Sequence, residues 1–206
     1  FMLLAIFFIL SSVLSKILKR ASFYRTKGSQ RDIIQVYANG GIAFLISVIY
    51  FLSSDPVYIY LFSSCVAAAM SDTWGTEFGK LSRHKPISIT SFKSIDHGIS
   101  GGITRIGTLG SLLGSSIIGF STWMMIPVPT HIIYGIILSG FLSSLFDSIL
   151  GDMIQGKYKN QNGEIIEVKE RNSVLIKGYP WMNNDLVNLL NTTFSALILY
   201  AFIMLC

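Results

Sequence analysis

The chain has 206 residues, of which 51% are hydrophobic and only 13% are charged, and its mean hydropathy is +0.56. A soluble globular domain has about 25% charged residues, so this composition excludes an ordinary soluble domain and indicates an integral membrane protein. The length fits one transmembrane helical domain over residues 1–206, and the sequence lacks the CxxC and HExxH patterns of zinc sites.

Six apolar stretches are long enough, or nearly long enough, to cross a bilayer, which takes about 20 helical residues. In chain order they are Phe1–Leu18, Val36–Leu52, Val57–Phe78, Ile99–Ile126, His131–Gln155 and Leu186–Cys206. Short turns join the second stretch to the third and the fourth to the fifth, whereas the other three links are longer and polar. The sequence therefore predicts an all-α polytopic membrane protein with about six transmembrane helices.

The basic residues indicate the orientation of these helices. All 16 Lys and Arg residues, including Arg25, Lys27 and Arg31 of the first link, lie in or beside the three long links. Because Lys and Arg concentrate in cytoplasmic loops, this distribution places the long links in the cytoplasm and residues 1 and 206 outside. Every acidic residue except Asp55 lies on the same side, so we expect the active face to be cytoplasmic.

The link between the fifth and sixth stretches contains Asn162-Gly163, a typical two-residue hairpin turn, followed by loose alternation over residues 164–176. These features predict a small cytoplasmic β-hairpin or loop. It could act as a lid or be only a solvated connection, and the sequence leaves both interpretations open.

Four carboxylates, those of Asp72, Glu77, Asp147 and Asp152, lie in apolar helix ends, where a charge is costly and usually functional. Asp72 with Glu77, and Asp147 with Asp152, lie in stretches of the same pattern. In each, an acid is followed by a hydroxyl residue, a glycine and a second acid five positions after the first. This similarity indicates that helices three–four and five–six form a parallel repeat. Acids five residues apart cannot share one face of a straight helix, so either the helix distorts near Gly75 and Gly151 or only one acid of each pair faces the site. We expect Asp72 and Asp147 to be the deep pair.

Asp72 and Asp147 each lie about 23 Å along their helices, near the level of the lipid phosphates. Oxygen ligands without His or Cys favour a hard ion, and Mg²⁺ in particular combines carboxylates with substrate phosphates. We therefore expect the four carboxylates to bind Mg²⁺. The alternative is helix packing through buried acid–base pairs, for example Asp72 with Arg105.

A glycine-rich run over residues 96–110 is expected to open the fourth helix, where free N–H groups and the helix dipole suit phosphate. The candidate phosphate-binding residues there, with two nearby lysines, are Lys80, Lys93, Gly98, Ser100, Gly101, Gly102, Arg105 and Thr108. The competing interpretation is close helix packing, to which we assign the later glycines Gly110 and Gly114.

A polar stripe opens the sixth helix at Asn184, Asn188 and Asn191. Together with Asp185 it either forms a third wall of the site or provides an N-cap at Asp185 and hydrogen bonds between helices. We expect Asn184, Asp185 and Asn188 to take part in binding.

Four motifs carry a resemblance to a known family. They are SDTWGTEFGKLS (71–82), SFKSIDHGISGGITRIGTLGS (91–111), FDSILGDMIQG (146–156) and NNDLVNLLNT (183–192). Together they resemble the integral membrane family of transmembrane protein 19 and phytyl-phosphate kinase, over about residues 37–200. The resemblance implies phosphoryl transfer from a nucleoside triphosphate, with CTP as the first candidate, to an isoprenyl monophosphate in the membrane.

With such an acceptor no strong base is needed, and catalysis depends on positioning and charge neutralisation by the candidate catalytic residues Asp72, Asp147 and Lys80. A free prenol or polyprenol acceptor would instead need a carboxylate as base. An ion or small-anion transporter is a further alternative, and nucleic acid is not an expected partner. The prenyl length and a homo-oligomeric state are left open by the sequence.

Overall fold

The computed structural model describes residues 1–21 and 33–205, so Arg25, Lys27 and Arg31 of the first link, and Cys206, lie outside the described residues. The described residues contain six helices, the number that hydropathy predicts. These are α1 (Met2–Ala21), α2 (Ile33–Ser53), α3 (Pro56–Gly79), α4 (Arg105–Met125), α5 (Thr130–Met153) and α6 (Asn184–Leu205).

Three of the described helices are long and apolar enough to cross a membrane by themselves, namely Ile34–Ser53, Thr130–Met153 and Asn184–Leu205. The apolar part of α1, Met2–Leu18, is shorter. These findings agree with a helical integral membrane protein.

Helix α3 is the centre of the bundle and packs against each of the other five helices. Its start is determined locally, because Pro56 occupies the first helical turn and the Asp55 carboxylate accepts a hydrogen bond from the backbone N–H of Val57 at 2.9 Å. Residues 63–71 are buried without interruption. An inner helix of this kind faces protein rather than lipid, so it can carry serines and a carboxylate within an otherwise apolar bundle.

Glycines allow α3 and α4 to approach closely. A Cβ atom added to Gly110 would lie 2.7 Å from Phe78 Cβ, and one added to Gly114 would lie 2.8 Å from the Met70 carbonyl oxygen. The packing role expected for these two later glycines is therefore confirmed.

Helix α4 begins later than predicted, at Arg105 rather than Ile99. Gly98 and Gly101 have positive φ values of 85° and 87°, which interrupt a right-handed helix. The chain then forms a short strand before Thr104, whose side chain accepts a hydrogen bond from Gly107 N at 3.0 Å and caps α4. Residues 96–104 are therefore a loop that leads into α4, and we call them the glycine segment.

Five short strands lie at the same end of the bundle as the glycine segment. β1 (Ile87–Ser88) pairs antiparallel with β2 (Gly102–Ile103). β3 (Lys157–Lys159), β4 (Ile165–Ile166) and β5 (Val174–Lys177) form an antiparallel sheet in the order β4-β3-β5. The predicted hairpin is confirmed as β3–β4, with Gly163 at φ 81° in its turn, whereas β5 and the β1–β2 pair were not predicted.

Candidate functional site

A cavity of about 1800 Å³ lies between the helices and reaches the glycine segment. Eleven of the predicted site residues line it, from α3, the glycine segment, α4, α5 and α6. They are Asp72, Glu77, Lys80, Gly98, Ser100, Gly101, Gly102, Thr108, Asp147, Asn184 and Asn188. The structure does not place four others in the lining, which are Lys93, Arg105, Asp152 and Asp185.

Asp72 on α3 and Asp147 on α5 form the acidic centre of this cavity. The Asp147 carboxylate lies within electrostatic range of both Asp72 and Glu167. Its Oδ2 atom is buried and has no hydrogen-bond partner in the part of the chain that the structure describes. Buried polar atoms are normally paired, so an unpaired carboxylate oxygen in a residue that lines a cavity is a candidate position for a ligand or cation.

A repeat in the chain explains why these two acids meet. Ser64 and Ser139 occupy equivalent positions, 75 residues apart, and their hydroxyl groups hydrogen bond at 2.8 Å across the α3–α5 interface. Asp72 and Asp147 have the same separation. Contact between equivalent residues is the mark of a two-fold relation, which supports the predicted parallel repeat for α3 and α5.

Glu77 is paired within its own helix rather than with the other acids. Lys80 Nζ donates to Glu77 Oε1 at 2.8 Å, and both side chains are partly buried at the cavity wall. α3 stays helical through Gly75, so the five-residue offset turns Glu77 away from Asp72.

Asp152 connects several segments of the chain and does not line the cavity. Its side chain is 3% exposed, and its carboxylate accepts hydrogen bonds from Ser88 Oγ, from Thr90 Oγ1 at 2.6 Å and from Lys177 Nζ at 2.7 Å. Lys157 Nζ lies 3.6 Å from it. These bonds join the end of α5 to β1 and to β5, and Asp152 does not line the cavity that contains Asp147.

The predicted four-carboxylate magnesium set is therefore not assembled. Within residues 1–21 and 33–205, no group of three or more Asp, Glu, His or Cys side chains converges as a metal site. The alternative of acid–base pairs is seen for Asp152 and Glu77, which pair with lysines. The example of Asp72 with Arg105 is not seen, because Arg105 is exposed and forms no ion pair with Asp72 among the described residues. What the structure brings together is the pair Asp72 and Asp147.

Glu167 was missed by the sequence analysis. It lies just after β4, lines the cavity, and its carboxylate accepts hydrogen bonds from Ser100 N at 2.6 Å, Ser100 Oγ at 2.8 Å and Gln155 Nε2 at 3.1 Å. No spacing in the sequence marks this residue, because its partner Ser100 is 67 residues away. The contact shows that the amide and hydroxyl of Ser100 can bind an anionic group.

Lys157 supports the same glycine segment from the other side. Its side chain is 5% exposed, and its ammonium group donates to the Ser100 carbonyl oxygen at 2.8 Å. Burial lowers the pKa of Lys157, while the nearby carboxylates of Asp152 and Glu167 oppose this shift. A Cβ atom on Gly101 would lie 2.3 Å from Asp152 Cβ, so only glycine fits there.

The remaining predicted residues lie at the periphery. The side chain of Lys93 is exposed, and its carbonyl oxygen accepts from Ser88 N at 2.8 Å. The N-cap of α6 is Asn183, whose Oδ1 accepts from Leu186 N at 3.0 Å, so the alternative interpretation of Asp185 as the cap is wrong by two residues. Asp185 instead lies in the first turn of α6, where a negative charge is favourable.

Comparison with known proteins identifies relatives in archaea and plants. An uncharacterized membrane protein of Methanocaldococcus jannaschii is 33% identical over 75% of this chain and 65% of its own length. Protein PGR of Arabidopsis thaliana is 29% identical over 74% of the chain and 63% of its length. Protein VTE6, chloroplastic, also of Arabidopsis thaliana, is 24% identical over 80% of the chain and 41% of its length.

The chain thus spans less than two thirds of each of these relatives. No solved structure matches it. The matches to PGR and VTE6 confirm the family resemblance drawn from the four motifs. The family model described as integral membrane protein DUF92 matches residues 1–196, which include all four motifs, and the chain therefore belongs to this family of integral membrane proteins.

Proposed function

We propose that the protein transfers a phosphoryl group from a nucleoside triphosphate, with CTP as the first candidate, to an isoprenyl monophosphate. The observation that carries this proposal is one cavity that contains the Asp72–Asp147 pair, Lys80 and the glycine segment and also extends between apolar helices. The family resemblance and the relationship to VTE6 support a prenyl-phosphate kinase.

Asp72 and Asp147 are the residues that would hold Mg²⁺. Magnesium in phosphoryl-transfer sites is usually bound by one or two carboxylates plus substrate phosphates, so a pair is sufficient. The unpartnered Oδ2 of Asp147 fits this role, whereas the fully bonded Asp152 does not. A bound Mg²⁺ would supply charge neutralisation for the donor phosphates.

Phosphate binding would fall to the cationic and N–H donors of the cavity wall. Lys80 can exchange its bond to Glu77 for one to a phosphoryl oxygen, since its side chain is only partly buried. The Ser100 amide and hydroxyl already bind a carboxylate, and the amides of Asn184 and Asn188 line the opposite wall. Lys93 and Arg105, which are exposed outside the lining, would attract the nucleotide electrostatically.

The transfer itself needs positioning more than proton removal. An oxygen of the acceptor monophosphate attacks the terminal phosphorus of the donor, the bond to the bridging oxygen breaks, and the nucleoside diphosphate leaves. Because the acceptor is already an anion near neutral pH, no general base is required.

We further propose that all six helices cross the membrane and that the glycine segment and the β3–β5 sheet face the cytoplasm. α3 and α4, with 24 and 21 residues, are long enough to span a hydrocarbon core of about 30 Å. The polar and small residues of α3 and α4 pack inside the bundle. This packing explains why the sequences of these two helices are less apolar than those of α2, α5 and α6.

The direct test is an acceptor and nucleotide panel with the purified protein in nanodiscs. CTP, UTP, GTP and ATP are each offered with prenyl phosphates or free prenols, with Mg²⁺ or with EDTA. We expect a prenyl diphosphate product that disappears with EDTA. Transfer to free prenols alone would support the prenol kinase, and ion flux in proteoliposomes without any transfer would support a transporter.

A further inference from the structure

The cavity has a second part, away from the carboxylates, that is apolar. It runs between α1, α2 and the middle of α3 and is lined by Leu4, Phe7, Phe8, Phe44, Val66 and Ala69. We call this part the apolar arm. It is continuous with the polar part that contains the unpartnered Oδ2 of Asp147. One cavity therefore has an anion-binding end and a hydrophobic end, as an amphipathic ligand requires.

The cavity that contains the apolar arm is long. Lys16 and Leu4 both line it from α1, and their separation of twelve residues corresponds to roughly 18 Å along a helix. On α2, Gln35 and Phe44 also line it and lie roughly 14 Å apart. From its polar end to the apolar arm, the cavity therefore extends over about half of a hydrocarbon core roughly 30 Å thick.

Two glycines of α2 give the arm its width. Gly40 and Gly41 line the cavity, and a Cβ atom added to either would have nothing within 4 Å among the described residues. Glycine inside a helix costs about 1 kcal/mol relative to alanine, so such a position normally has a packing reason. Gly110, Gly114 and Gly140 have one, since a Cβ there would lie under 3 Å from a neighbouring helix, but Gly40 and Gly41 do not.

The apolar arm also opens laterally, between α1 and α2, toward the surrounding bilayer. Phe44 on α2 is 65% exposed and Phe8 on α1 is 38% exposed, on helices that we place at the outside of the bundle. A lipid could therefore enter from the bilayer with its tail between α1 and α2 while its head reaches Asp147.

We infer that the apolar arm binds the isoprenoid tail of the acceptor lipid, and that Gly40 and Gly41 determine how long a tail is accepted. This inference rests on the proposed function, since the phosphate at the other end of the same lipid would be the acceptor. The length of the cavity, measured from its polar end to the apolar arm, favours tails of several isoprene units over a single one.

The test fills the arm without disturbing the carboxylates. Gly40→Leu and Gly41→Leu add bulk to open space and raise helix propensity, so both variants should fold. Leu45→Phe is the matched control, because Leu45 is on the same helix, 56% exposed and outside the cavity lining. Each protein is assayed with dimethylallyl, geranyl, farnesyl and geranylgeranyl phosphates.

We expect kcat/KM for geranylgeranyl phosphate to fall about tenfold or more in the glycine variants, the scale of one misfit in a hydrophobic pocket. The value for dimethylallyl phosphate should stay at the wild-type level, and Leu45→Phe should resemble wild type throughout. An equal loss for every acceptor, or no change in the preference for tail length, would overturn the inference.

A binding experiment separates this inference from the proposed function. A geranylgeranyl phosphate with a photoreactive group at the tail end is crosslinked to the wild-type protein, and the labelled peptides are mapped. Labelling of α1 and α2 is expected, and it supports the apolar arm even if no acceptor is phosphorylated. Labelling confined to α5 and α6 would contradict it.

Discussion

The four embedded carboxylates have two different environments, and the difference is visible in their partners. Asp152 is bonded to two hydroxyl groups and two lysines, whereas the buried Oδ2 of Asp147 has no partner among the described residues. Hydrogen bonds and ion pairs such as those of Asp152 hold the fold together. A buried carboxyl oxygen without a partner lowers stability, and such a group usually has a functional role. The sequence analysis distinguished the depth of these acids but assigned all four to one magnesium site.

The stability of single variants should separate these two roles. Asp152→Asn breaks the ion pair with the buried Lys157 and leaves only the more distant carboxylate of Glu167 near that ammonium group. Breaking a buried ion pair typically costs about 3–5 kcal/mol. Asp147→Asn replaces a buried carboxyl group whose Oδ2 has no hydrogen-bond partner among the described residues, so in EDTA its thermal unfolding temperature should equal or exceed that of wild type. Both are measured by thermal unfolding in detergent. Equal destabilisation by the two variants would contradict the assignment.

Glu167 should hold the glycine segment in place. Glu167→Gln removes the charge that receives the Ser100 amide and hydroxyl, and hydrogen bonds to charged groups contribute about 1.5–3 kcal/mol. Hydrogen exchange at residues 97–102 should therefore become about tenfold faster or more. Glu164→Gln is the control, because Glu164 is exposed and accepts only within its own turn, from Asn160 Nδ2 and not from the glycine segment. Unchanged exchange in Glu167→Gln would show that this contact does not order the segment.

At the scale of the elements, hydropathy was a good guide to the helices because each apolar stretch is a local property of the chain. The predicted start of α4 was too early. Gly98 and Gly101 have positive φ values, and the sequence does not distinguish such glycines from those that allow close helix packing. The β1–β2 pair and the Glu167–Ser100 contact were missed because both join residues that are far apart in the sequence. The hairpin was predictable because Asn162-Gly163 is a local turn signal.

The six-span arrangement makes a prediction that labelling can check. In a background with Cys65→Ser and Cys206→Ser, single cysteines replace Ser53, Ser94 and Thr130, which are all exposed. A membrane-impermeant maleimide added to intact cells should label positions 53 and 130 but reach position 94 only after permeabilisation. If α3 and α4 do not span, all three positions will be labelled from the same side.

At the scale of the whole molecule, the repeat and the cavity account for the proposed chemistry together. Two helices with equivalent acids bring Asp72 and Asp147 into one cavity, the glycine segment also lines it, and the cavity continues between α1 and α2. The sequence predicted that Asp72 and Asp147 form a pair, and both line the cavity. It could not predict which acids would be bonded elsewhere, because that depends on Lys157, Lys177 and β1, which only the fold brings to Asp152.

The measurement that tests the central claim most directly is phosphoryl transfer from a labelled nucleoside triphosphate to geranylgeranyl phosphate by wild type, Asp72→Asn, Asp147→Asn and Asp55→Asn. Asp55→Asn is the matched control, since it makes the same change at the other end of α3 and Asn can also cap a helix. We predict Mg²⁺-dependent diphosphate formation by wild type and Asp55→Asn, with a loss of at least about a hundredfold in the other two variants. Full activity in Asp72→Asn and Asp147→Asn, or no transfer by wild type to any prenyl phosphate, would contradict the account.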